Sequence, residues 1–205
     1  MKHAPQAIER PAALLVLLVI AATVTGITNT ARAQTADPAT TSESESTAAF
    51  PRGTEYYRLQ GSYQNERSGA DEHLATIGVA AGHYFLDNAA FEFQFLGYNG
   101  HDEEDGFGVG INALARYHFI NVGRFSLYGD VLGGIFWTSA DFPTGGTELN
   151  FTYAGGPGLS YRIREGLYLD GGIRFQHVSN FYIQGRDRNP VFNSFGGYVG
   201  LMWTR

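Results

Sequence analysis

A histidine and a serine two residues apart, His177 and Ser179, close the alternating stretch Ile173-Arg174-Phe175-Gln176-His177-Val178-Ser179-Asn180. On a β-strand, side chains at i and i+2 share a face, with Cα atoms about 6.6 Å apart. An imidazole and a hydroxyl so placed lean into hydrogen-bond reach, the relation a serine nucleophile needs to its general base. Asn180 follows directly, and Asn193 opens the next alternating stretch. His-x-Ser is a weak motif by itself, so its meaning depends on the elements that place it.

Those elements read as strands. From Thr54 onward no helical period emerges, and eight segments alternate apolar with small or polar residues. They lie near Glu55–Gln64, His73–Phe85, Ala89–Tyr98, Phe107–Phe119, Arg124–Trp137, Glu148–Ile163, Leu167–Ser179 and Asn193–Trp203. Phe91, Phe93 and Phe95 against Glu92, Gln94 and Leu96 show the pattern best. Connections alternate as well. Leu86-Asp87-Asn88, Ile120 to Gly123 and Arg164 to Gly166 are tight, whereas residues 65–72, 99–106, 138–147 and 180–192 form longer polar loops. An even strand count with short turns on one side and long loops on the other predicts an all-β fold, an eight-stranded antiparallel up-and-down transmembrane β-barrel. Such strands are long enough to cross a bilayer at barrel tilt, and closure leaves no edge for lipid to strand. A soluble barrel of lipocalin type would point its apolar face inward around a ligand. Against it, Glu92, Gln94, Asp130, Asp170 and Arg174 share the alternate face, which suits a narrow, paired, polar interior. Such barrels commonly finish on an aromatic residue; here Arg205 is last and Trp203 the nearest aromatic.

Parity then aims the candidate residues. Leu167, Leu169, Ile173 and Phe175 form the apolar face of the seventh segment, and His177 and Ser179 share it. Asn193 shares the face of Phe195, Val199 and Leu201, and antiparallel pairing of segments seven and eight could bring it beside His177. Polar groups on a lipid-facing surface are costly unless they serve a purpose. Two readings stay open on the residues alone. One is a catalytic triad in which Asn193 orients His177; the other is a set of polar side chains in the interfacial zone.

The chain ends bound the setting. Lys2 and Arg10, the apolar run Ala12 to Val24 and the small-x-small site Ala31-Arg32-Ala33 read as a secretory signal over residues 1–33. Residues 34–53 read as a disordered spacer and residues 54–205 as the barrel. The formal net charge is −6, and loss of Lys2, Arg10 and Arg32 makes the mature chain more acidic, so no nucleic-acid footprint is expected. With no cysteine, disulfides do not hold the fold.

In these features the chain resembles the lipid A 3-O-deacylase (PagL-type) family of small outer-membrane barrels. The likeness concentrates at Gly146-Thr147-Glu148-Leu149-Asn150-Phe151, Arg174-Phe175-Gln176-His177-Val178-Ser179-Asn180 and Asn189-Pro190-Val191-Phe192-Asn193-Ser194. The resemblance implies a serine esterase that removes one ester-linked 3-hydroxyacyl chain from lipid A of lipopolysaccharide. Ser179 would be the nucleophile, His177 the general base and Asn180 a contributor to the oxyanion hole. The active site would lie at the outer leaflet of the bacterial outer membrane. The partners implied are lipid A and outer-membrane lipid, with a homodimer allowed, and no cofactor or metal is called for. Two departures stand out. The family's orienting glutamate falls on Asn193, a substitution for which outer-membrane phospholipase A, with His-x-Ser and an asparagine on the following strand, offers a precedent. Phe181 and Tyr182 replace small residues and narrow the acyl groove.

Other features read more plainly. Arg174 is expected to pair with Asp130 or Asp170 inside the barrel. Gly155, Gly156 and Gly158 suit close packing or a bulge rather than a nucleotide loop. His101-Asp102-Glu103-Glu104-Asp105 reads as a solvated loop tip. The competing functions are a non-catalytic barrel for adhesion or structure, and an outer-membrane phospholipase. A pore is disfavoured because side chains fill an eight-stranded interior.

Overall fold

Strict alternation over eight segments leaves one way to satisfy every backbone polar group in lipid, a closed sheet. The computed structural model, which describes residues 48–68, 72–101 and 105–205, has that form. Its strands are β1 (Glu55–Glu66), β2 (His73–Leu86), β3 (Ala89–His101), β4 (Asp105–Val122), β5 (Phe125–Phe142), β6 (Thr147–Arg164), β7 (Leu167–Ser179) and β8 (Phe192–Thr204). Each pairs antiparallel with its neighbour in sequence, and β1 closes on β8. The expected signal segment, residues 1–33, lies outside the described residues.

At one end the strands join by two-residue turns, Asp87-Asn88, Gly123-Arg124 and Glu165-Gly166. Asn88, Gly123 and Gly166 take the left-handed conformation that such turns require, with φ of 63°, 59° and 70°. Shortly before each turn the register slips by one, passing over Phe85, Phe119 or Ile163. These bulges shift the pairing of every residue beyond them.

At the other end the strands run further than alternation alone implies. Most of residues 99–106 and 138–147, expected as loops, continue the sheet. Trp137 Nε1 donates to Glu148 at 2.9 Å, and Thr138 Oγ1 donates to the Ala140 and Glu148 carbonyls, so polar side chains extend the β5–β6 hairpin. Asp102 to Glu104 of the acidic loop tip lie outside the described residues; His101 and Asp105 flank them as a strand pair.

Outside, Phe91, Phe93, Phe95, Ile77, Val79, Ile111, Ile173 and Val199 form an apolar band of the kind lipid requires. The interior has three layers. In the middle, Arg58, Arg116 and Arg174 face Glu92, Asp130 and Asp170, all buried. Arg116 meets Asp170 at 2.7 Å and Asp130 at 3.2 Å; Arg174 meets Asp130 at 2.8 Å; Arg58 pairs with Glu92. Asp130 is therefore the principal partner of Arg174. The layer is neutral in sum, which is how buried charges are tolerated. Above and below it the interior turns apolar. Leu74, Leu96, Tyr98, Phe136, Phe142, Val178 and Phe192 fill the long-loop end, and Phe50, Tyr56, Tyr84, Ala90 and Met202 the turn end. The space bounded by Gln60, Gln94, Asn112 and Arg174 is about 20 Å³, room for roughly one water.

Phe50, within the stretch expected as spacer, packs into the turn end of the barrel. It is 1% exposed, stacks on Tyr84 at 5.0 Å and packs on His118 at 4.1 Å. Its backbone exchanges hydrogen bonds with Asn88, accepting from the Asn88 N–H and donating to Oδ1. Phe50 thus forms an aromatic plug in the turn end. The glycines also resolve. Gly158 sits directly opposite Tyr128, and a Cβ there would lie 2.3 Å from that ring; Gly156 faces Arg174 with no slip of register. Close packing, not a bulge, accounts for them.

Candidate active site

Register decides which side chains meet. On β7, Arg174, Gln176 and Val178 are buried in the barrel, while Ile173 and Phe175 face out with His177. Across β8 the direct partner of His177 is Asn193, and across β6 it is Tyr153. The imidazole is thus held from both sides. His177 Nδ1 lies 2.7 Å from Asn193 Oδ1, and the Tyr153 ring stacks on it at 4.7 Å with the planes 23° apart.

This arrangement fixes the tautomer. A carboxamide oxygen only accepts, so Nδ1 carries the proton and donates to Asn193. The lone pair is then on Nε2, the nitrogen a general base uses. Asn193 thus holds the ring through Nδ1 and brings no negative charge to it. Tyr153 was not singled out from sequence. Its parity with Phe151 was readable, but its register was not.

Ser179 ends β7 on the same face. Its register partner is Phe151, whose ring takes that of Phe181 edge-on at 5.1 Å. Ser179 is 6% exposed, and among the described residues no hydrogen bond joins it to His177. The structure therefore brings Ser179, His177 and Asn193 to one face at one end of the barrel. Catalytic hydrogen bonds commonly tighten only once substrate is bound.

Asn180, the expected oxyanion-hole contributor, follows directly after β7. It is 2% exposed, and its amide nitrogen donates to Thr147 Oγ1 at 3.1 Å and to the Arg188 carbonyl. Its Oδ1 accepts from the Tyr182 N–H at 3.0 Å, and its own N–H donates to Asn189 Oδ1 at 2.8 Å. Both side-chain N–H groups thus have partners, one on β6 and one in the loop. The physical reason is the strand alternation itself: one residue past an outward side chain, the next turns inward. Asn180 ties residues 180–191 to the β5–β6 hairpin, where Arg188 also bonds Asp141 at 3.1 Å and the Gly146 carbonyl at 3.0 Å.

The turn so anchored is strained. Phe181 and Tyr182 both have left-handed φ, 52° and 61°, unusual for bulky residues and typical of over-determined functional segments. Among the described residues the Phe181 N–H has no hydrogen-bond partner, unlike those of Asn180, Tyr182 and Ile183.

The family model for lipid A 3-O-deacylase (PagL) matches residues 55–202. The crystal structure of the outer membrane enzyme PagL is similar with a TM-score of 0.56 at 12% identity, covering 70% of this chain and 97% of that one. The crystal structure of Neisserial surface protein A (NspA) is similar with a TM-score of 0.53 at 20% identity, covering 74% and 99%. At these identities the two structures speak for the outer-membrane barrel fold alone. No curated protein sequence matches the chain.

Proposed function

Because the chain belongs to the lipid A 3-O-deacylase (PagL) family, an outer-membrane group of ester hydrolases, we propose that it removes an ester-linked 3-hydroxyacyl chain from lipid A with Ser179 as nucleophile. The observation that carries the reading is the His177–Asn193 bond, which leaves Nε2 basic on the face Ser179 shares.

The geometry supports the following course. His177 Nε2 takes the Ser179 hydroxyl proton as Oγ attacks the ester carbonyl, and Asn193 Oδ1 holds the resulting imidazolium through Nδ1–H. The tetrahedral oxyanion is met by backbone, with the unpartnered Phe181 N–H the donor nearest in sequence. One such donor is typically worth about 3 kcal/mol. His177 then protonates the departing sugar hydroxyl, leaving the acyl group on Ser179. Water, deprotonated by His177, releases the 3-hydroxy fatty acid. Tyr153 keeps the imidazole plane fixed throughout. His177 and Ser179 lie at the end of β7 away from the tight turns, and on this reading that end meets the outer leaflet, where lipopolysaccharide resides. A single barrel carries the whole His177–Ser179–Asn193 set, so catalysis does not require a homodimer.

A fluorophosphonate probe tests the nucleophile. The folded barrel is expected to gain one probe adduct on the peptide containing Ser179, with parallel loss of lipid A hydrolysis, and the Ser179→Ala protein none. Full hydrolysis after saturating treatment, with Ser179 unlabelled, would rule out the serine.

A further inference from the structure

Arg67 stands immediately after β1, with its N–H donating to the carbonyl of Asn193 at 2.8 Å. Its backbone is thus bound to the residue that orients His177. Its exposed side chain reaches the outward face of β7, with the guanidinium carbon 6.0 Å from the centre of the Phe175 ring. Phe175 is two residues before His177 on the same face, and its partner across β8 is the exposed Phe195. Among the described residues no carboxylate lies within ion-pair distance of Arg67; the adjacent Glu66 carboxylate accepts from the Ser68 N–H instead.

A guanidinium beside aromatic rings on a lipid-facing wall is costly without an anion. It is also a planar donor fork suited to phosphate oxygens. On the deacylase reading, on which this inference rests, the substrate is a disaccharide that carries phosphate close to its esterified sugars. We infer that Arg67 is a phosphate-binding residue for that substrate, anchoring a lipid A phosphate beside the His177–Asn193 pair so that the ester carbonyl comes to Ser179.

Binding, separated from turnover, gives the test. Equilibrium affinity for lipid A bearing both phosphates, and for lipid A with both removed, is measured on Ser179→Ala and on Ser179→Ala/Arg67→Gln. The second change is expected to weaken binding of the phosphorylated lipid by about tenfold and leave the dephosphorylated lipid unaffected, with Arg67→Lys intermediate. Equal affinities of both proteins for the phosphorylated lipid would overturn the assignment. So would equal weakening on both lipids, which would mean that the Arg67 side chain acts through its packing on Phe175 and not through phosphate. Anionic phospholipid vesicles as competitor distinguish a general headgroup site, which would abolish the tenfold difference, from a lipid A site, which would preserve it. Absence of hydrolysis by the unaltered protein would count against the deacylase reading and leave this comparison intact.

Discussion

Asp130→Ala is expected to cost about 3–5 kcal/mol of barrel stability, the usual cost of breaking a buried ion pair from one side. Asp130 accepts from Arg174 at 2.8 and 3.1 Å, from Arg116 at 3.2 Å and from the Tyr198 hydroxyl at 3.0 Å. Arg116 would keep Asp170, but Arg174 has no other carboxylate partner among the described residues. Its guanidinium, stacked over Tyr198 at 3.8 Å, would be left buried and uncompensated. Urea unfolding followed by Trp fluorescence reads the loss. Pairing Asp130→Asn with Arg174→Met removes both charges and is expected to recover most of the stability, a non-additivity that marks direct coupling. Native-like stability of the single Asp130→Ala variant would show that the central layer does not hold the barrel.

His177→Ala is expected to lower kcat by about four orders of magnitude or more while the barrel stays folded, because without the base the hydroxyl is no longer activated. Asn193→Ala should fall less, by about a hundredfold, since the imidazole loses its tautomer lock yet keeps the Tyr153 stack. Asn193→Glu should match or exceed the unaltered protein, because a carboxylate stabilises the imidazolium better than an amide does. Rates on purified lipid A in detergent check all three. An Asn193→Ala protein as fast as the original would remove Asn193 from the mechanism.

How much of this was legible depends on which physical rule set each residue. Alternation alone placed His177, Ser179 and Asn193 outward and Glu92, Asp130, Asp170 and Arg174 inward, because a two-residue period admits only two faces. Antiparallel pairing of β7 with β8 then brought Asn193 to His177. The same parity turns Asn180 inward, where its side chain bonds Thr147 and the Arg188 carbonyl. Tyr153 was hidden for a different reason. The bulge at Ile163 shifts β6 by one residue, and without it His177 would face Ala154. Nothing in the local pattern announces that slip. Phe50 was hidden too, a lone aromatic in a segment otherwise poor in apolar residues, whose pocket is formed by β2, β4 and β7.

The most direct test of the account is mass spectrometry of lipid A from cells that express this protein or its Ser179→Ala variant, with both barrels verified as folded in the outer membrane. Loss of one 3-hydroxyacyl chain with the original protein only is the predicted result. Unchanged lipid A with both, or the same loss with both, would contradict a Ser179-dependent lipid A deacylase.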